Sequence, residues 1–212
     1  MRVYADISVS LDGLVAGPSP SLEDPLGIGG MQLHEWAFRL AAWRRPHGME
    51  GGEEGPESRW VEEIAESTGA YVMGRRMFSG GAGPWDGDPN ANGWWGEEPP
   101  FHAPVFVVTS HAREPLQLTG TTFTFVTEGV DAAVAQAREA ANGRDVQVAG
   151  GGSAVRQAYE LGLLDELQLH VAPVLLGAGA PLFVDATPSS LDLVETIATP
   201  QATHVRYRVT RR

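Results

Sequence analysis

The chain has 212 residues and contains neither cysteine nor lysine, so all 15 of its basic residues are arginine. That excludes disulfides, thiol nucleophiles, thiolate metal sites, Schiff-base chemistry and the lysine-bearing phosphate loop. With 15 basic against 27 acidic residues the formal charge is −12, which argues against nucleic acid or an anionic membrane as a partner, since both need a cationic face.

Residues 2–10 alternate apolar and polar side chains and predict a strand. It runs into a loop over residues 11–18 with two glycines and a proline, and residues 18–30 are irregular. Leu33, Trp36, Ala37, Leu40 and Trp43 share one helical stripe, predicting a helix over 32–45 that Pro46 ends. A Gly/Glu-rich loop follows over 46–56, then a helix over 58–68 with Trp60, Val61, Ile64 and Ala65 inward. Seven glutamates and one arginine lie between Glu50 and Glu66, read as a solvated loop and helix face.

A short buried strand at 71–73 ends in Gly74-Arg75-Arg76. The Gly/Pro-rich stretch 79–103 is a long connection of the kind that is usually functional or disordered. Strands are predicted at 105–109 and 123–126, a helix at 131–141, a strand at 146–149 and a helix at 153–161. A long strand over 167–176 and a terminal hairpin of 191–199 with 203–210 complete the chain. The alternation predicts one α/β domain over 1–212, with a mostly parallel central sheet, helices on its faces and antiparallel C-terminal strands. Nothing resembles a signal peptide or an apolar run of ~18 residues, so a cytoplasmic protein is expected.

Three strand endings could carry chemistry. Val146-Gln-Val-Ala-Gly-Gly-Gly-Ser places three glycines between a strand and a helix, where free N–H groups attract phosphate; a tight structural turn is the alternative. It is not the G-x-G-x-x-G fingerprint. Gly74-Arg75-Arg76 would set two guanidiniums at the carboxyl edge of the sheet, and an arginine fork suits phosphate, although adjacent arginines are also common as solvated charge. Thr109-Ser110-His111 adds hydroxyls and an imidazole at a third ending. Ligands of open α/β sheets bind outside the carboxyl ends of the strands, so the three endings together suit a dinucleotide. The six histidines show no zinc-ligand spacing, so no metal site is expected.

Ser8-Val-Ser-Leu-Asp-Gly, Met-Gly-Arg-Arg-Met-Phe, Val-Val-Thr-Ser and Ala-Gly-Gly-Gly-Ser resemble the dihydrofolate reductase-like superfamily. The stretch 161–179, followed by Pro181-Leu-Phe, is similar to the reductase domain of the bifunctional riboflavin-biosynthesis deaminase–reductase and its stand-alone relatives. The resemblance leaves only the loops 18–30, 46–56 and 80–103 unmatched. It implies an NADPH-dependent reductase in which Gly74, Arg75, Arg76 and Met77 meet the 2′-phosphate and pyrophosphate. Many relatives carry a threonine where Met77 stands, so this position can offer only its backbone N–H. Thr109, Ser110 and His111 would flank the adenosine, and Gly150, Gly151, Gly152, Ser153 and Ala154 would cradle the pyrophosphate. Ala5, Ala16 and Gly17 would sit by the nicotinamide and substrate. Asp12 is the candidate polar substrate contact, and Glu35 the positional counterpart of the folate reductases' acid. The resemblance implies a ribosylaminopyrimidine substrate and a homodimer. The alternatives are a dihydrofolate reductase, a reductase of another small molecule, or an NADPH-binding sensor without turnover.

Overall fold

A computed structural model of the chain describes residues 1–184, 186 and 189–210. In chain order, β1 (Val3–Ser10) and β2 (Leu14–Ala16) precede the short helices α1 (Glu35–Phe38) and α2 (Ala41–Arg44), then α3 (Ser58–Ser67), β3 (Thr68–Gly74) and α4 (Arg75–Ser79). Next come β4 (Val105–Val108), β5 (Leu116–Leu118), β6 (Thr121–Val126), α5 (Val130–Ala140), β7 (Asp145–Gly150) and α6 (Gly152–Glu160). The order ends with β8 (Glu166–Ala172), β9 (Ala180–Pro181), β10 (Ser190–Ala198) and β11 (Thr203–Thr210).

Nine of the strands form one sheet in the order β10-β11-β8-β1-β7-β3-β4-β6-β5. The six from β8 to β6 are mutually parallel, while β5 at one edge pairs antiparallel with β6, and at the other β11 pairs antiparallel with β8 and β10 antiparallel with β11. The β2 and β9 segments pair separately above the end of β1.

The period of two in β1 divides its side chains between two different environments. Val3, Ala5 and Val9 enter an apolar core with Val72, Val146 and Val148, closed by Ala133, Val134 and Ala137 of α5 and Ala154, Val155 and Ala158 of α6. The opposite face is split. Towards β4 and β6 it is apolar, with Tyr71, Met73, Phe78, Val105 and Phe123 packed under aromatic residues of the 80–104 connection. Towards β8 and β11 it is polar, and Trp36 of α1 and Trp60 of α3 cover it.

Several expected boundaries are corrected. The helix expected over 32–45 is broken: a 3-10 turn (Gly30–His34) leads into α1, the chain turns extended at Leu40, and α2 runs into a second 3-10 turn (Arg45–His47). Main-chain hydrogen bonds to Glu53 on either side of Leu40 replace the helical ones. Ala65 is exposed because it lies off the stripe made by Trp60 and Ile64. The strand expected to reach residue 176 stops at Ala172, before Pro173, which has no N–H to donate. The segments β2, β5 and β9 carry too few residues to show a period.

Candidate functional site

Because β1, β3, β4 and β7 are parallel, their carboxyl ends share one edge of the sheet. Every strand ending singled out from the sequence lies on that edge. Gly74 closes β3 and Gly150 closes β7, its neighbour. A Cβ built on Gly74 would stand 3.8 Å from the Gly151 nitrogen and 3.9 Å from Ala154 Cβ, so the two turns form one surface. Gly150 has φ +132°, its peptide to Gly151 is cis, and Met77 Sδ would lie 3.2 Å from a Cβ there. Gly151 faces open space, with nothing within 4 Å of a would-be Cβ. Gly152 is the contrary case: a Cβ would meet Val15 Cγ2 at 2.6 Å, which ties the loop after β1 to the start of α6. The N–H groups of Gly152 and Ser153 at the start of α6 therefore open beside a strip of backbone bare of side chains, while the Ala154 N–H is taken by the Gly151 carbonyl at 2.9 Å.

The loop after β1 is fixed from two sides. Gly17 donates its N–H to the Leu26 carbonyl at 2.7 Å and has no room for a side chain against the Ile28 carbonyl, while Gly179 lies against Ala16. Asp12 is exposed, and its carboxylate accepts the N–H groups of Leu176 at 3.2 Å and Gly177 at 2.7 Å. The Ser10 hydroxyl, then those N–H groups, hold its pKa below the usual carboxylate value. Asp12 thus clamps the segment after β8 onto the loop after β1.

The paired arginines separate. A helical step of ~100° per residue turns consecutive side chains apart. Arg76 is exposed, on the wall of a cleft of about 330 Å³ between Pro20–Leu22 and Gly80–Asp88. Arg75 turns inward, 6% exposed, and ion-pairs with Asp88, itself 6% exposed, at 2.5 Å. Arg75 also donates to the Ser79 hydroxyl and lies 3.7 Å from the Trp85 ring centroid. Burial raises the Asp88 carboxyl, and hydrogen bonds from Arg75, the Asn90 N–H and Ser79 outweigh it, holding it below its ordinary value. The expectation of two free guanidiniums is corrected: Arg75 anchors the 80–104 connection, and Arg76 alone faces outward.

At the end of β4, Thr109 is buried and its Oγ1 accepts the His111 N–H at 3.1 Å; Ser110 is exposed, and the His111 carbonyl accepts the Trp85 indole N–H at 2.7 Å. Strand parity leaves Ala5 only its main chain to offer a ligand on the other face. It sits mid-strand between Val148 and Leu167, fully buried on the face packed by α5 and α6, so its side chain cannot line a site on the other face. Glu35 is corrected as well, because its side chain is exposed on α1 and it is the next residue, Trp36, that turns onto the sheet.

The polar face of the sheet holds a hydrogen-bonded chain of ionisable groups. His170 Nε2 lies 2.7 Å from Asp6 Oδ1, and His170 Nδ1 lies 2.7 Å from His204 Nδ1. Trp36 packs its ring 4.3 Å from His170 and donates its indole N–H to the Ser8 hydroxyl at 3.0 Å. Burial, then the repulsion that a second protonated imidazole at His170 would bring, pushes the His34 and His204 imidazoles down to about 4. Among the described residues no group of histidine, aspartate and glutamate side chains could hold a metal ion, and no helix is long and apolar enough to cross a membrane.

The model of the RibD C-terminal domain family matches residues 2–205. The chain belongs to that family. Its fold is that of the dihydrofolate reductase-like reductase domains. A riboflavin-biosynthesis protein structure from Shewanella sp. PV-4 covers both chains in full at 21% identity and a TM-score of 0.64. The diaminohydroxyphosphoribosylaminopyrimidine deaminase/5-amino-6-(5-phosphoribosylamino)uracil reductase of Thermotoga maritima matches 99% of this chain and 56% of its own, at 14% identity and a TM-score of 0.56. RibD of Acinetobacter baumannii matches 99% of this chain and 58% of its own, at 15% identity and a TM-score of 0.53. The chain thus spans little more than half of those two proteins. A 43-residue segment, 20% of this chain, is 46% identical to 23% of YyaP, an uncharacterised protein of Bacillus subtilis (strain 168).

Within this RibD-type fold, sequence reasoning missed Asp6, Ser8, Trp36, His170, His204 and Asp88. One signal was present: Tyr4, Asp6, Ser8 and Ser10 put polar groups at every second position of a strand that both neighbours bury. Ser8 meets Trp36 28 residues away and Asp6 meets His170 164 residues away, where no spacing rule reaches.

Proposed function

We propose that the chain is an NADPH-dependent reductase that delivers a hydride to a small heterocycle, with the 5-amino-6-(5-phosphoribosylamino)uracil reductase reaction as the leading assignment. The observation that carries this reading is the glycine surface shared by Gly74 and Gly150–Gly152, open at Gly151 beside the N-terminus of α6. It fits a pyrophosphate, which needs close backbone approach and N–H donors. Arg76, beside its cleft, fits a phosphomonoester such as the 2′-phosphate. The N–H groups at Gly74 and Met77 add donors, and Thr109, Ser110 and His111 form the rim for the adenosine. Ala16 and Gly17, pinned by the 26–30 segment, border the nicotinamide position, and Asp12 holds that loop in shape. The cofactor supplies the hydride; the protein's part is to fix the cofactor and an electrophilic carbon at bonding distance and to exclude water.

Gly151→Ala tests the cradle. The methyl enters open space, so the melting temperature should hold, while NADPH affinity should fall about tenfold or more, equivalent to ~1.4 kcal/mol. Gly152→Ala should instead lower the melting temperature, because Val15 must shift. Fluorescence titration with NADPH reads the first and a thermal melt the second; unchanged NADPH affinity in Gly151→Ala would reject the cradle. NADPH oxidation against 5-amino-6-(5-phosphoribosylamino)uracil-type heterocycles then tests the reaction. Leu193 and Val194, exposed on the edge strand β10, support a homodimer through that strand, for which light scattering should give a dimer of the native chain and a monomer of Leu193→Glu.

A further inference from the structure

The polar face of β1 carries a buried chain of ionisable groups that the proposed cofactor site does not use. Asp6, His170 and His204 are hydrogen-bonded in series on neighbouring strands. Their proton positions follow from the partners available. The 2.7 Å contact between two Nδ1 atoms needs one donor and one acceptor. If His170 Nδ1 donated, the proton of a neutral His204 would lie on Nε2, which is buried without a partner. A buried N–H without an acceptor carries the full cost of desolvation. The arrangement free of that defect has His204 Nδ1–H donating to His170 Nδ1, and His170 Nε2–H donating to Asp6 Oδ1. Both histidines then point their donors toward one carboxylate.

Only one oxygen of that carboxylate is used. Among the described residues Asp6 Oδ2 makes no hydrogen bond, and the Asp6 side chain is 16% exposed where His170 is 2% exposed. Register places that carboxylate relative to the glycine turn. Ala5 pairs with Val148, so Asp6 and Ala149 are neighbours on the polar face, and Ala149 is also partly exposed. Ala149 immediately precedes the Gly150–Gly151 turn. Asp6 therefore stands one pair before that turn on the face that Trp36 covers, with its side chain partly exposed and Oδ2 unused. One register step away, Gln147 Oε1 is a buried acceptor without a donor.

We propose that Asp6 is the specificity-determining carboxylate of the substrate chamber: the His204–His170 chain fixes Oδ1, and Oδ2 receives N–H donors from the edge of a heterocycle such as an aminopyrimidinone. His170 is a positioning residue that orients the carboxylate, and Trp36 closes the chamber over it. This rests on the reductase reading for the location of the chamber, but it concerns substrate and not cofactor.

The probe is 5,6-diaminouracil, titrated calorimetrically into the chain saturated with NADP+, beside derivatives methylated at ring nitrogens. The native chain should bind 5,6-diaminouracil and lose about 10- to 100-fold in affinity for at least one N-methyl derivative, the range expected for a hydrogen bond to a charged group. That arm needs no variant. Asp6→Asn, which keeps an acceptor for His170, should weaken the parent probe by a similar factor and leave NADPH affinity within about twofold. His170→Gln should weaken the probe less, with the residual affinity still lost in the double variant with Asp6→Asn. Equal binding of parent and methylated probes, or unchanged probe affinity in Asp6→Asn, overturns the proposal, as does failure of every probe to bind the NADP+-loaded native chain. Failure of NADPH itself to bind the native chain would instead overturn the reductase reading.

Discussion

Arg75 and Arg76 are adjacent in sequence and opposite in environment. One is held against Asp88, Ser79 and the Trp85 ring, and the other stands on the wall of the cleft beside loop 18–30. Their substitutions should therefore separate two quantities usually lost together. Arg75→Ala leaves the Asp88 carboxylate buried without its counter-charge, and removing one partner of a buried pair costs about 3–5 kcal/mol. Chemical denaturation should show that loss. Arg76→Ala should leave stability within about 0.5 kcal/mol, as an exposed substitution does. Its effect should appear in binding: NADPH affinity falling about tenfold or more, with NADH affinity nearly unchanged. Equal losses for both cofactors would remove Arg76 from recognition of the 2′-phosphate. The sequence could not make this distinction. It shows two adjacent arginines, while the decisive partner lies 13 residues on, within a loop that has no periodicity to place it.

At the scale of elements, legibility followed pattern length. The β1, β7 and β11 strands and the helices α3, α5 and α6 display a period of two or 3.6 in sequence, while β3 and β4 were legible as unbroken apolar runs bounded by turn residues. The stripe over 32–45 was also real, since Leu33, Trp36, Ala37 and Leu40 are all buried, but a shared apolar face does not require an unbroken helix. The break at Leu40 comes from main-chain pairing with Glu53, which no side-chain pattern announces. That broken cover lies over imidazoles whose pKa values burial lowers from 6.5 to about 4, namely His34 and His204, with Asp6 and His170 as the ionisable groups facing them. Between those values the unfolded chain binds more protons than the folded one. The stabilising contribution of the neutral imidazoles is therefore complete above pH 6.5 and is lost as pH falls toward 4. Urea denaturation should show a loss of roughly 1 kcal/mol per histidine between about pH 7.5 and 5.5. His204→Asn, which cannot titrate, should lose about half of that dependence; an unchanged dependence would place the titration elsewhere in the chain.

For the whole molecule, the parallel order of β8 to β6 explains why the site was partly readable. Parallel strands bring their carboxyl ends to one edge, so separate motifs at residues 12–17, 74–77, 109–111 and 150–154 become one surface without any long-range pairing being known. The chamber on the face of the sheet was not readable, because it depends on which strands β1 lies between and on what covers them. The chain's charge acts at this same scale. A formal −12 surrounds a site that we assign to a polyanionic cofactor, so long-range electrostatics should oppose encounter even where Arg76 favours the bound state. Raising ionic strength from about 0.01 M to 0.15 M shortens the screening length from ~30 Å to ~8 Å, which suppresses the global repulsion before it weakens a contact at a few ångströms. The association rate of NADPH, measured by stopped-flow fluorescence, should therefore rise with salt over that range, and the dissociation rate should rise as well through Arg76. In Arg76→Ala the rise in association should persist while the salt dependence of dissociation largely disappears. An association rate that falls with salt in the native chain would show that the local cationic patch outweighs the field of the whole protein, reversing the order of magnitudes assigned here.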